Sequence, residues 1–244
     1  MTYCVGLKLD RGLVFASDTR TNAGLDNIAT FKKLHVWEQP GERVITLLSA
    51  GNLAITQAVI SLLTEHIKVA AEGRPTLMTV DTMFQAARLV GSAVREVRAI
   101  DGEALAANAD NFFVTFILGG QIKGEEPRLF QVYSAGNFIE VSDDTPFVQI
   151  GEHKYGKPIL DRVTRSDMRL GEAAKMVLLS FDSTLRSNLS VGMPIDLLLY
   201  NADSFSTERQ LRIEKDDPYF QKLSQDWSDA LRDAFAEMDE LEEI

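Results

Sequence analysis

The chain begins, after Met1, with Thr2-Tyr3-Cys4-Val5-Gly6-Leu7-Lys8-Leu9-Asp10-Arg11-Gly12-Leu13-Val14-Phe15-Ala16-Ser17-Asp18-Thr19-Arg20. Tyr3, Val5, Leu7 and Leu9 alternate with Thr2, Cys4, Gly6 and Lys8, and the alternation resumes with Leu13, Phe15 and Ser17 beyond Asp10-Arg11-Gly12. Such a pattern reads as a β-hairpin. A three-residue loop ending on a left-handed Gly12 would pair Leu9 with Leu13, Cys4 with Asp18 and Thr2 with Arg20. Directly paired residues share a face, so Thr2, Asp18 and Arg20 are expected on one side of the sheet.

Outward from this hairpin, strands are expected over Lys33 to Glu38 and Arg43 to Ser49, joined by the turn signal Pro40-Gly41. Leu53 to Ala71 and Thr79 to Ile100 carry apolar residues at helical spacing, for example Met83, Ala87, Val90, Val94 and Val97. Strands return at Phe112 to Leu118, Leu129 to Ser134, Phe138 to Val141 and Phe147 to Ile150. Helices follow near Tyr155 to Val163 and Gly171 to Leu189, then a last strand over Ile195 to Ala202. Strands in blocks and helices in pairs argue for antiparallel sheets layered with helices rather than βαβ units. The fold class is therefore α+β, a four-layer α-β-β-α sandwich. Residues 1–215 form one domain, and 216–244 add an acidic amphipathic helix. There Phe220, Leu223, Trp227, Ala230, Ala234, Met238 and Leu241 form an apolar seam, which either packs on its own subunit or makes a subunit contact.

Of the 244 residues, 45% are hydrophobic, enough for one sizeable core. The single cysteine, Cys4, allows no intramolecular disulfide and fits a reducing, cytoplasmic location. The first residues lack the basic lead and apolar run of a signal peptide, and Phe112 to Leu118 is too short to span a bilayer. Net charge is −11, of which 216–244 contribute −8, ten acidic residues against Lys222 and Arg232. No basic stripe with interleaved aromatics occurs, so neither nucleic acid nor a membrane is an expected partner.

Metal and phosphate motifs are also missing. His35, His66 and His153 have no ligand spacing, neither HExxH nor CxxC occurs, and Leu47-Leu48-Ser49-Ala50-Gly51 lacks the first glycine of a nucleophile elbow. What remains is Thr2. If the initiator methionine is trimmed, this residue carries both a hydroxyl and a free α-amine. An α-amine of reference pKa about 7.7 to 8.0 accepts a proton near neutrality, so nucleophile and base can come from one residue. Asp18 and Lys33 are positioned by the strand pattern to add a carboxylate that orients a lysine, whose ammonium tunes the hydroxyl and the amine. A solvated Asp18–Lys33 pair is the plainer alternative.

The stretches Thr2-Tyr3-Cys4-Val5-Gly6, Ala16-Ser17-Asp18-Thr19-Arg20, Lys32-Lys33-Leu34, Ser49-Ala50-Gly51-Asn52 and Ser190-Val191-Gly192-Met193-Pro194-Ile195-Asp196 resemble those of proteasome β subunits, which are N-terminal nucleophile hydrolases. More narrowly, Ser17 to Gly24 and Arg186 to Gly192 resemble the bacterial Anbu proteins, the ancestral β subunits. The resemblance implies Thr2 as nucleophile, Asp18 and Lys33 as its activating pair, with Lys32 the fallback, and Ser190 as a hydroxyl orienting the α-amine. Arg20 is implied as a structural ion-pair member. Ungapped matching sets Leu48 at the family's oxyanion glycine, where its amide could still donate, and Thr46, Ala50 and Ala54 at positions shaping a modest, uncharged specificity pocket. Glu152, after Gly151, and Ser187 hold the places of a serine and an aspartate that support the family's terminal threonine.

The expected function is hydrolysis of peptide or amide bonds through a threonyl ester, with no metal and no cofactor, in a homo-oligomer that is a ring or an open helical assembly. The alternatives are an assembly scaffold of the same fold with little turnover, and acyl transfer to an amine.

Overall fold

The computed structural model describes residues 2–22, 28–69, 73–108, 111–207 and 209–241. Met1, Ala23, Gly24, Ala71 and Ile244, which figure in the sequence expectations, lie outside the described residues.

The opening hairpin consists of β1 (Tyr3–Leu9) and β2 (Gly12–Asp18), but its register differs by one residue from the expectation. Leu9 pairs with Gly12 and Cys4 with Ser17, leaving a two-residue turn at Asp10-Arg11. The reason is the role of Gly12. Its φ of +136° is set where a neighbouring strand crosses closely, and a Cβ there would lie 2.0 Å from the Tyr200 carbonyl oxygen. Gly12 is thus a ladder residue required by a distant contact, not the last residue of the turn. The expected alignments of Thr2 with Arg20 and Cys4 with Asp18 are corrected accordingly.

After a short ribbon, β3 (Arg20–Asn22) and β4 (Ile28–Thr30), come β5 (Leu34–Gln39) and β6 (Arg43–Gly51). Helices α1 (Leu53–Val69) and α2 (Met83–Ala107) follow. Thr82 caps α2, its side chain accepting from the Gln85 N–H at 3.2 Å. Next come β7 (Val114–Ile122), β8 (Arg128–Val132), β9 (Phe138–Glu140) and β10 (Phe147–Gly151). The chain continues through α3 (Lys157–Val163), α4 (Leu170–Ser187), β11 (Ile195–Asn201), β12 (Arg209–Ile213) and α5 (Pro218–Ala236).

Two antiparallel five-stranded sheets result, β10-β1-β2-β11-β12 and β5-β6-β7-β8-β9. Between them pack Cys4, Leu13, Phe15, Leu34, Leu48 and Ile117. Helices α3 and α4 cover the first sheet, Phe181 of α4 packing with Tyr3, Val5 and Leu7, while α1 and α2 cover the second, Val90 of α2 packing with Ile45, Leu47 and Phe116. The period-two alternation along β1 therefore feeds two different apolar layers, Tyr3 and Val5 facing helices and Cys4 facing the other sheet. Strand β12 was not expected. Its residues Arg209 to Arg212 are exposed and largely polar, as befits a protected sheet edge, and so carry no apolar alternation to read.

Candidate active site

Thr2 sits where β1 begins, against the end of β10. Its carbonyl oxygen accepts the Glu152 N–H at 2.6 Å, and Tyr3 pairs with Gly151. Gly151 has a φ of +82°, and a Cβ on it would stand 2.1 Å from the Thr2 carbonyl oxygen, so only glycine lets the two strand ends approach.

Beside Thr2 lies the buried pair Asp18 and Lys33. The Lys33 ammonium donates to Asp18 Oδ1 at 2.7 Å and to the Arg20 carbonyl oxygen at 2.6 Å. Asp18 Oδ1 also accepts the Tyr3 N–H at 3.0 Å, and Oδ2 the Gly192 N–H at 3.3 Å. Burial pushes the Asp18 carboxyl above the usual carboxylate range, against the pull of the Lys33 charge and the two amides. The carboxylate is thereby tied to the backbone next to Thr2 on one side and to the loop carrying Ser190 on the other. Lys33 is fixed by its main chain, since Ser49 N–H donates to its carbonyl oxygen at 3.1 Å and so extends the β5–β6 ladder by one residue. Lys32, one residue earlier, is exposed. Of the two lysines, Lys33 is the one brought to Asp18.

Arg20 belongs to the scaffold of this corner. Its guanidinium donates to the Leu189 carbonyl oxygen at 2.9 Å and packs on Gly192, where a Cβ would meet Nε at 2.1 Å. Among the described residues the guanidinium's partners are the Leu189 and Val191 carbonyl oxygens, in place of the expected ion pair.

Thr2 and Lys33 open onto a recess of about 530 Å³, bordered further by Thr21, Ser49, Ala50, Gly51, Asn52 and Phe113. That size suits a small-molecule or peptide side-chain site. Ala50 is the one expected pocket residue on this border. Leu48 is instead fully buried between the sheets, and Thr46 is fully buried on β6. Ala54 is exposed on the first turn of α1, outside the recess lining. Leu48, expected to supply an oxyanion amide, does not border the recess; the backbone that borders it beside Thr2 is Ala50-Gly51, where β6 ends and α1 begins.

Ser190 lies in the loop after α4, its N–H donating to Asn188 Oδ1 at 3.0 Å. Ser187 is exposed at the end of α4, and Asn188 is the residue that meets Glu152, donating from Nδ2 to Oε2 at 2.6 Å. Asn188 went unnoticed in the sequence, since a lone asparagine after a helix reads as an ordinary cap. Burial raises the neighbouring Tyr3 hydroxyl and the Cys4 thiol well above their ordinary pKa values, so neither ionises near neutrality. Among the described residues, no group of three or more His, Cys, Asp or Glu side chains is placed to hold a metal ion, and no helix is long and apolar enough to cross a membrane.

The proteasome subunit family matches residues 2–198. The chain is 65% identical to an Anbu (Gly-1) mutant from Hyphomicrobium sp. strain MC1, each chain covered in full, with a TM-score of 0.92. Anbu (ancestral beta-subunit) from Yersinia bercovieri is 51% identical, over 99% of this chain and 100% of that one, with a TM-score of 0.92. A structure described as the helical assembly of the Anbu complex from Pseudomonas aeruginosa is 47% identical over 98% of each chain, with a TM-score of 0.93. Proteasome subunit beta 2 of Nitrosopumilus maritimus (strain SCM1) is 24% identical over 217 residues, 86% of this chain and 91% of that protein. The α-β-β-α sandwich is the N-terminal nucleophile hydrolase fold, and the chain belongs to the proteasome subunit family, among its Anbu (ancestral beta-subunit) proteins.

Proposed function

We propose that the chain is a threonine-type amide hydrolase whose nucleophile is Thr2, exposed by removal of Met1, working in a cytoplasmic homo-oligomer. The observation that carries this reading is the buried Asp18–Lys33 pair, 2.7 Å apart, tied to the Tyr3 amide at the mouth of the recess that holds Thr2. A surface ion pair would not need such burial. In the proposed reaction the Thr2 hydroxyl attacks a substrate carbonyl carbon while the α-amine takes its proton. Lys33 lowers the cost of negative charge on the threonine oxygen, and Asp18 holds Lys33 in place. The amide backbone of Ala50-Gly51 is the source of oxyanion donors. Collapse of the tetrahedral centre expels the amine, protonated by the α-ammonium, and water then cleaves the threonyl ester. Ser190 orients the α-amine.

The second element of the proposal is self-association through α5 and the residues that follow its end at Ala236. Phe220 and Leu223 pack on α4 and the first sheet, yet Phe235, Met238 and Leu241 are 78%, 69% and 87% exposed. Leaving that many large apolar side chains in water is unfavourable by about 1.5 to 3 kcal/mol for each that could be fully buried. The Pseudomonas aeruginosa relative is described as a helical assembly, which supports an open assembly here.

Release of amine from short peptide amides by wild-type protein, and its loss in Thr2→Ala with an unchanged melting temperature, tests the reaction. Equal release by the two proteins would remove Thr2 from it, and release by neither would favour an assembly scaffold of the same fold.

A further inference from the structure

Continuing the β1–β10 register by one residue sets Glu152 opposite Thr2, and the 2.6 Å bond from the Glu152 N–H to the Thr2 carbonyl oxygen shows that the ladder does continue. Glu152 is 5% exposed. Its Oε1 accepts the His153 and Lys154 amides at 2.9 and 2.8 Å, and Oε2 accepts Asn188 Nδ2 at 2.6 Å. Burial works against ionisation, but these three donors, with a smaller contribution from the His153 ring charge, outweigh it and hold the carboxyl below the usual range. It is therefore a carboxylate, and each of these donors is a neutral amide. Buried charges are ordinarily paired with an opposite charge. The one cation that processing would create at this strand end is the α-ammonium of Thr2.

We infer that Glu152 is a positioning residue of the nucleophile: its buried carboxylate is the counter-ion of the Thr2 α-ammonium and, through Asn188, ties the end of β10 to the loop that carries Ser190. The inference rests on the reading of Thr2 as an N-terminal nucleophile. One side chain thus fixes both the charge and the frame of the general base. The titratable groups that act on it electrostatically are His153, in the turn after β10, and Tyr3 on β1, while Lys154 offers its amide and the Asp18–Lys33 pair lies beside Thr2. Replacing the carboxylate by an amide removes one negative charge, so the α-amine loses its proton at lower pH.

The test is the rate of Thr2 capture by a peptide epoxyketone between pH 5 and 9, with the adduct located by peptide mass. In Glu152→Gln the acid limb of the profile should move down by about half a pH unit or more. Glu152→Asp, which keeps the charge but not the reach to Asn188, should hold the wild-type limb with a slower plateau. Asn188→Ala should likewise slow the plateau, about tenfold, at an unchanged limb. An unmoved limb in Glu152→Gln overturns the inference while leaving Thr2 as nucleophile. If Glu152→Gln does not fold, Asn188→Ala decides, and a wild-type plateau there overturns the inference. Absence of any adduct on wild-type Thr2 overturns the nucleophile reading itself, and this inference with it.

Discussion

Lys33 and Asp18 are 4% and 0% exposed, so neither can lose its partner without leaving a buried charge behind. Lys33→Ala is expected to abolish Thr2 reactivity and to cost about 3 to 5 kcal/mol in a urea unfolding midpoint, whereas exposed Lys32→Ala stays within about 0.5 kcal/mol. The reverse ranking would mean that the pair had been assigned to the wrong lysine. His35, on β5, gives a pH signature away from the recess. Burial, helped by the Lys32 charge, lowers its pKa to about 4 from the ordinary value near 6.5. The fold thus favours the neutral imidazole. Its contribution is complete above pH about 6.5 and is lost as pH falls toward about 4. His35→Gln should flatten the fall of stability across that window, and an unaltered slope would place the acid sensitivity elsewhere. At this scale the sequence was partly readable: Thr2, Asp18 and Lys33 stand in a strand pattern that chemistry can rank, while Ser190 and Glu152 entered only through the family resemblance. Asn188 was not legible at all, because its meaning comes from a contact with Glu152, 36 residues away in sequence.

Elements explain why local reading misplaced the hairpin by one residue yet kept the fold. Alternation along β1 and β2 specifies which side chains face helices and which face the other sheet, and both layers formed as expected. The turn was decided by Tyr200, whose carbonyl oxygen approaches Gly12 and forces glycine there, a constraint invisible from ten neighbouring residues. The same logic yields a prediction at the end of β10. Gly151→Ala adds a Cβ 2.1 Å from the Thr2 carbonyl oxygen at a φ of +82°, so Thr2 must shift. The variant should lose about 1 to 3 kcal/mol and capture an electrophile at Thr2 far more slowly. Wild-type stability with wild-type capture would show that the strand ends need not approach so closely.

Across the whole molecule, α5 divides in two. Its first half belongs to the body: Phe220 is 8% exposed, Ser224 donates to Asp182 at 2.6 Å and Arg186 donates to Ser228 at 3.1 Å. Beyond Ser228 the large exposed apolar residues are Leu231 and Phe235 on the helix and Met238 and Leu241 after its end at Ala236, so the expected helical seam stops short of Met238 and Leu241. Helical spacing revealed a seam, but which half the body covers depends on where α4 lies. A chain ending at Ser228 should keep its melting temperature within a few degrees and form smaller assemblies by light scattering. An unchanged mass would remove α5 from assembly. Because 216–244 carry −8, a contact between two such helices should strengthen as salt screens it. The claim on which all of this converges is that a free Thr2 is the nucleophile. Treating the purified chain with an epoxyketone that needs both a hydroxyl and an α-amine, then digesting it, tests that claim most directly. A single adduct on a peptide that begins at Thr2, absent from Lys33→Ala, is the predicted result, whereas no adduct, or one on any other residue, would contradict it.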